Sequence, residues 1–208
     1  MELTTVEREN QLLTEIWELK DEWDQNWAVW KDVSFYELKI DDMDEVAVEF
    51  IQRLQNSNKD VRHWPIYDFL KNKFFGFRDT MPLITDLRDE SMRPRHWNEL
   101  RFEVKEEFNE QSEDFTLEKI FELDLVKHSG MIDELAHNAK KQLKIEKGLQ
   151  EIKRIWEEDP AANLDISKER SKADNEEFYK INSTENIIQL IEDHSAQLAN
   201  MKSSPYYK

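Results

Sequence analysis

The sequence predicts an all-α fold, an elongated antiparallel helical bundle, from its composition and the spacing of its apolar residues. Only three glycines and five prolines occur in 208 residues, and strong helix formers dominate the rest. Through most of the chain, apolar residues recur three and four positions apart, which is the spacing of one helix face. One stretch near the C-terminal end departs from this pattern. There we expect either a small β-hairpin or a disordered insertion.

Three helices are predicted in the first eighty residues. The first spans about residues 5–31, the second opens with the acidic run at Asp41 and ends in the turn at Asn56, and the third spans about 64–79. The first helix carries an apolar stripe rich in tryptophan, which we interpret as core rather than as a ligand cage. The stripe consists of Leu12, Leu13, Ile16, Leu19, Trp23, Trp27 and Trp30.

The stretch Met81–Trp97, called the junction below, contains two prolines and a cluster of apolar residues. Proline is tolerated in the first turn of a helix and disrupts a helix interior. Pro82 therefore predicts the start of a short buried helix, and Pro94 predicts the start of the next one. The junction should turn the chain between two longer helical regions.

The remaining elements follow the same signals. A helix from Pro94 to about residue 108 precedes a short helix N-capped by Thr116, and the longest helix runs from about 129 to 158. Pro160 ends that helix, and Thr184 caps a last helix that Ser203–Pro205 breaks. We treat residues 1–208 as a single helical segment, with helical subregions at about 5–80, 81–159 and 183–203 and the hairpin or insertion at 160–182.

The composition argues against several classes of function. A formal net charge of −17 opposes phosphate backbones and anionic lipid, so we expect neither a nucleic-acid nor a membrane partner. The absence of cysteine excludes disulfides and thiolate chemistry. No apolar run approaches the length of a transmembrane helix, and the first residues do not resemble an export signal.

Motifs for catalysis or metal binding are also missing. The three glycines are too far apart for a phosphate-binding loop, and an EF-hand starting at Asp42 would place Ala47 where glycine is required. Glu134 and His137 form an isolated Glu-x-x-His pair, whereas a four-helix carboxylate site needs two. We expect no catalytic, cofactor-binding or metal-binding residues in this segment. The residues themselves indicate a mechanical or binding module, with a carboxylate-bundle metalloenzyme as the least favoured alternative.

Several ordered motifs resemble dynein heavy chains, in the N-terminal tail and linker region that precedes the AAA+ ring. They are the Pro-Leu-Ile-x-Asp-Leu stretch at 82–87, the Arg-x-Arg-His-Trp stretch at 93–97, an acidic Phe-Thr-Leu stretch at 113–117, the long helix around 141–156 and the closing helix at 187–204. The residues around Asp86 and Met92 are more similar to axonemal dyneins, inner-arm ones among them. The family-motif residues, to which we assign a structural role, are Pro82, Leu83, Ile84, Asp86, Leu87, Arg93, Arg95, His96, Trp97 and Trp156.

The resemblance implies a non-catalytic lever that couples ATP-driven changes in the AAA+ ring to microtubule-based movement in a cilium or flagellum. ATP and Mg²⁺ would be bound elsewhere in the parent heavy chain. The implied partners are the ring of the same chain and other dynein subunits, with microtubules contacted only indirectly, and the implied location is the cytoskeleton of the cytoplasm or axoneme. The alternative is an independent helical adaptor that docks partner helices. In a lever, bending should concentrate at the junction and around Pro160. We further expect Trp97 to lie in the core and the junction arginines to pair with nearby acids such as Asp89 and Glu90.

Overall fold

A computed structural model describes residues 2–171 and 176–207. These residues form seven α-helices and one two-stranded antiparallel sheet, which confirms the predicted all-α fold with a small hairpin. No helix among them is long and apolar enough to cross a bilayer. The helices are α1 (Glu2–Trp30), α2 (Ile40–Gln55), α3 (Pro65–Leu87), α4 (Pro94–Val104), α5 (Leu117–Glu122), α6 (Ser129–Glu158) and α7 (Glu185–Ser203), and the strands are β1 (Asp165–Arg170) and β2 (Glu177–Ser183).

The chain divides into two compact units, Met1–Ala136 and His137–Lys208. In the first unit, α1 lies against α2 and α3, and Trp23 is at the centre of the core with 1% of its surface exposed. Its indole makes edge-to-face contacts with Phe50 and Phe77, at centroid distances of 5.3 and 5.1 Å. Trp27 and Trp30 also pack against Phe77. The predicted aromatic stripe therefore serves as core, because edge-to-face ring packing buries large apolar areas.

The structure contradicts the predicted helix start at Pro82. Helix α3 continues through this proline to Leu87, so the Met81–Leu87 stretch completes α3 and is not a separate helix. Pro82 lies on the exposed face, where the carbonyl that loses its main-chain partner can be hydrated. The break in the junction falls later, between the end of α3 and Pro94.

Two predicted features of α4 also need correction. The helix ends at Val104 and not near residue 108, because Lys105 adopts a left-handed conformation with φ of 58°. An apolar residue of this helix, Phe102, is expected in the core, yet it lies two positions from Leu100, on the opposite face, and is 85% exposed. On α1, Leu13 of the predicted stripe is also exposed, so periodicity overestimates the width of the buried face.

The predicted capping threonines make no side-chain cap hydrogen bonds. At α5, two of the first amides donate instead to main-chain carbonyls, from Leu117 to Val33 and from Glu118 to Lys31, at 3.1 and 3.0 Å. At α7, the hydroxyl of Ser183 accepts from the amide of Glu185. Tertiary contacts and a neighbouring serine thus replace the caps that the local sequence predicts.

In the second unit, the two strands pair antiparallel, with Ile166 opposite Ile181 and Lys168 opposite Tyr179. Residues 172–175, at the tip of the predicted hairpin, lie outside the described residues. Both faces of the hairpin are largely exposed, including both isoleucines. Helix α7 approaches α6 closely at Gly148, where an added Cβ would lie 2.5 Å from Cε of Met201.

Candidate functional site

The junction is held first by Arg88, the residue that caps the C-terminus of α3. Its guanidinium donates to the main-chain carbonyls of Leu38 and Tyr36, at 2.7 and 2.8 Å. Both acceptors belong to the connection between α1 and α2. A charged donor shared by two carbonyls fixes both position and orientation. Arg88 therefore ties the end of α3 to a segment fifty residues earlier.

A turn and a capping pair then lead from α3 into α4. The carboxylate of Asp89 accepts from the amide and the hydroxyl of Ser91, at 2.9 and 2.5 Å. At the start of α4, the amide of Arg93 donates to Nδ1 of His96 at 3.1 Å. His96 is only 2% exposed, and as an acceptor its Nδ1 carries no proton in this arrangement. The histidine of the family motif is thus a buried cap.

Trp97 lies one residue further on, inside an aromatic pocket. It is 3% exposed and packs edge-to-face against Phe35, at 5.6 Å, and against Phe108 and Phe115, at 6.2 and 6.5 Å. The amide of Phe35 in turn donates to the carbonyl of Phe115 at 2.9 Å. The prediction that Trp97 belongs to the core is confirmed.

The other motif residues divide between core and surface. Leu83, Ile84 and Leu87 are buried, while Pro82 and Arg95 are exposed and Asp86 and Arg93 are half-buried. The guanidinium of Arg93 donates to the main-chain carbonyl of Glu90 at 2.7 Å. Of the two acids expected as partners, Asp89 and Glu90, it is Glu90 that accepts this hydrogen bond, through its main-chain oxygen.

Trp156, the last motif residue, lies in the second unit. Its Nε1 donates to Nδ1 of His194 at 2.9 Å, and the two rings meet edge to face at 6.0 Å. His194 is 6% exposed, whereas Trp156 is 38% exposed. The tryptophan therefore supplies the donor that a buried imidazole nitrogen requires, and it links α6 to α7.

Sequence reasoning missed Arg88, Phe35 and Phe115 as parts of the junction. The role of Arg88 depends on main-chain carbonyls, which leave no signal in side-chain identity. Phe35 and Phe115 lie in connections without helical periodicity, although a large aromatic residue in a short polar connection is itself an indication of burial.

A second polar cluster, outside the junction, joins α1 to α3. Asp24 binds the ammonium groups of Lys20 and Lys73, at 2.5 and 2.7 Å. Burial opposes ionisation of this carboxyl, but hydrogen bonds from both lysines outweigh it and lower the pKa of Asp24. The hydrogen bond with Asp24 also raises the pKa of Lys20. Both shifts favour the charged forms of Asp24 and Lys20 at neutral pH.

The chemistry of the junction is structural. Its polar groups donate to and accept from one another or the main chain, and Trp97 is sealed within aromatic rings. Within residues 2–171 and 176–207, no group of three or more His, Cys, Asp or Glu side chains could hold a metal ion. The arrangement can fix the direction of one helix relative to another.

Comparison with known proteins places the chain in a family. A family profile described as "Dynein heavy chain, N-terminal region 2" matches residues 3–208. The chain belongs to the dynein heavy chain family. The resemblance to dynein heavy chains inferred from the junction motif is therefore confirmed, and the relatives below are named as axonemal or flagellar dynein heavy chains.

Three relatives align with nearly all of this dynein heavy chain segment. The Dynein-1-beta heavy chain of the flagellar inner arm I1 complex from Chlamydomonas reinhardtii is 37% identical over 99% of the chain. The human dynein axonemal heavy chain 2 is 36% identical over the full length of this chain, and the human dynein axonemal heavy chain 10 is 32% identical over 99% of it. The segment spans only 4 to 5% of the length of these relatives.

Proposed function

We propose that this dynein heavy chain segment is a non-catalytic mechanical linker, which transmits ATP-driven changes of the AAA+ ring to movement along microtubules. The observation that carries the proposal is the junction between α3 and α4. There Arg88 donates to two main-chain carbonyls, His96 caps α4, and Trp97 is buried. Together these features fix the angle between α3 and α4. A segment that transmits force needs joints that resist bending, and close packing supplies that resistance.

The second unit supports a role within a larger helical structure. On α7, the side chains of Ile188, Ile191 and Leu198 are 52, 47 and 40% exposed. They lie three and seven residues apart, so they form one apolar face. An apolar helix face of this kind is stabilised when another element of the same heavy chain covers it.

The proposed setting is the axoneme of a cilium or flagellum, because the relatives are named as axonemal or flagellar. The proposed partners are the AAA+ ring of the same heavy chain and other dynein subunits, with microtubules contacted only indirectly. ATP and Mg²⁺ would bind in the ring and not in this segment. A purified 208-residue chain should accordingly hydrolyse no ATP.

The linker role can be tested in the full-length heavy chain with Arg88→Met, which removes both carbonyl contacts. Loss of the charged hydrogen bonds should destabilise the junction by about 2 kcal/mol. We expect microtubule gliding to become slower while microtubule-stimulated ATP hydrolysis is retained, because the chemistry would continue with weaker mechanical coupling.

Arg78→Met, at an exposed position of the same helix, is the matched control and should change neither rate. Two results would refute the linker role. One is a proportional fall of gliding and ATP hydrolysis in Arg88→Met, and the other is no change in either.

A further inference from the structure

A cavity in the first unit is not explained by the proposed function. It has a volume of about 380 Å³, which is in the range of small-molecule sites, and it lies between α1, α3, α5 and the 3₁₀ turn Leu125–His128. Most of its wall is apolar, with aromatic rings from Trp27, Phe77 and Phe121. Gly76 forms part of the wall, and a Cβ built on it meets nothing within 4 Å.

Lys73 is the one cationic side chain among the described residues that line this cavity, and its ammonium group can donate further hydrogen bonds. The ammonium group of Lys73 donates to Asp24 at 2.7 Å, and an ammonium group has three donors. The same carboxylate also binds Lys20, so two lysines share one negative charge. Among the described residues, Asp24 is the only acid within ion-pairing distance of either lysine. These three groups together carry one net positive charge, and Asp21 also lies close enough to raise the pKa of Lys20.

This local excess contrasts with the charge of the unit around it. Residues 1–136 contain 33 acidic and 17 basic residues. The cavity wall also contains Asp124, but its carboxylate forms an ion pair with Lys127. The half-buried side chain of Lys73, 31% exposed, is thus the charged group best placed to receive an anion in the cavity.

We propose that this cavity binds a ligand with an apolar body and one carboxylate, the body lying against the aromatic wall and the carboxylate on the ammonium group of Lys73. Strongly hydrated anions such as phosphate would bind poorly here, because they would lose their hydration and gain no apolar contact with the wall. A free aryl or alkyl carboxylate has this chemistry, and so does the C-terminus of a peptide that ends in a large apolar residue.

The test titrates the ¹⁵N-labelled 208-residue chain with 4-phenylbutyrate and with its neutral match, 4-phenylbutyramide, at pH 7. The readout is the indole ¹H–¹⁵N cross-peak of Trp27, assigned with Trp27→Phe. We expect 4-phenylbutyrate to shift this cross-peak with about tenfold higher affinity than the amide, because only the carboxylate forms a charged hydrogen bond with Lys73. The cross-peak of Trp97, which does not line the cavity, should stay in place.

Two variants separate the parts of the site. Lys73→Gln should reduce the affinity for 4-phenylbutyrate about tenfold and leave that for the amide unchanged, and Lys71→Gln, an exposed position on the same helix, is its control. Gly76→Leu should abolish binding of both probes by filling the cavity. Its control, Gly130→Leu, lies outside the cavity at a glycine that also has open space around its Cβ position.

A third probe, N-acetyl-glycyl-phenylalanine with a free C-terminal carboxylate, distinguishes a peptide C-terminus from a free small carboxylate as the ligand. Tighter binding than 4-phenylbutyrate would assign the site to a peptide terminus, and weaker binding would assign it to a free small carboxylate. Equal affinity for the carboxylate and the amide would overturn the proposal. So would unchanged binding in Gly76→Leu, or a Trp27 cross-peak that does not move with any probe at millimolar concentration.

Discussion

Replacement of Trp97 by alanine tests whether the junction is held by its aromatic pocket. A buried tryptophan removes roughly 200 Å² from water, which at about 25 cal/mol per Å² corresponds to ~5 kcal/mol for the whole side chain. Alanine keeps the Cβ, and the surrounding phenylalanines can relax partly into the space. We therefore expect Trp97→Ala to lower the free energy of unfolding of the first unit by about 3 to 5 kcal/mol.

The assay is equilibrium unfolding in urea, followed by far-ultraviolet circular dichroism and by the fluorescence of the remaining tryptophans. Trp17→Ala is the matched control, because Trp17 is 47% exposed and contacts Lys20 through its ring face. It should cost about 1 kcal/mol or less. Equal losses in the two variants would refute the reasoning, since burial would then not determine the contribution of a tryptophan here.

Four further substitutions test two individual contacts and two glycines. Trp156→Phe leaves the buried Nδ1 of His194 without its donor and should destabilise the second unit by about 1 to 2 kcal/mol, measured by hydrogen exchange of the α7 amides. Because the folded pKa of Asp24 is lowered, its contribution to stability is present above about pH 4 and is lost as the pH falls through the folded pKa. Asp24→Asn should therefore flatten the pH dependence of urea unfolding below pH 4 and lower stability at pH 7 by at most about 1 kcal/mol, since the carboxylate is partly exposed. Gly76→Ala should raise the thermal midpoint, because helix propensity improves by about 0.5 to 1 kcal/mol and the space is open. Gly148→Ala should gain less or lose stability, because its added methyl group meets a methionine of α7.

Local signals in the sequence predicted most helices and the centre of the core, because the spacing of large apolar residues reports directly on helix faces. The same signals failed at Pro82, where the rule that proline breaks a helix is overridden by burial of Leu83, Ile84 and Leu87 on the opposite face. They failed again at Phe102, an apolar residue that lies two positions from Leu100, on the opposite face of α4, and is exposed. Periodicity identifies where apolar residues lie on a helix, and it carries no information about which neighbouring element covers them.

The residues of the candidate site also differ in whether the sequence alone could predict them. The sequence pattern identified His96 and Trp97 but not the partners through which they act. His96 acts through the amide of Arg93, and Trp97 through rings contributed by residues far away in the chain. Arg88 was missed because main-chain carbonyls have the same chemistry at every residue. Sequence motifs thus located the junction, and only tertiary structure explains why it is held in one geometry.

That geometry changes where bending is expected within the segment. A change of angle at the junction would break the Arg88 contacts, open the His96 cap and expose Trp97, which together amount to several kcal/mol. Around Pro160, by contrast, α6 ends in a short 3₁₀ turn, and the hairpin that follows leaves both its strands exposed. Few buried contacts would be lost there, so local opening costs less. If the segment transmits force, the junction is the stiffer of the two predicted bending sites, and compliance should concentrate at the turn that begins with Pro160.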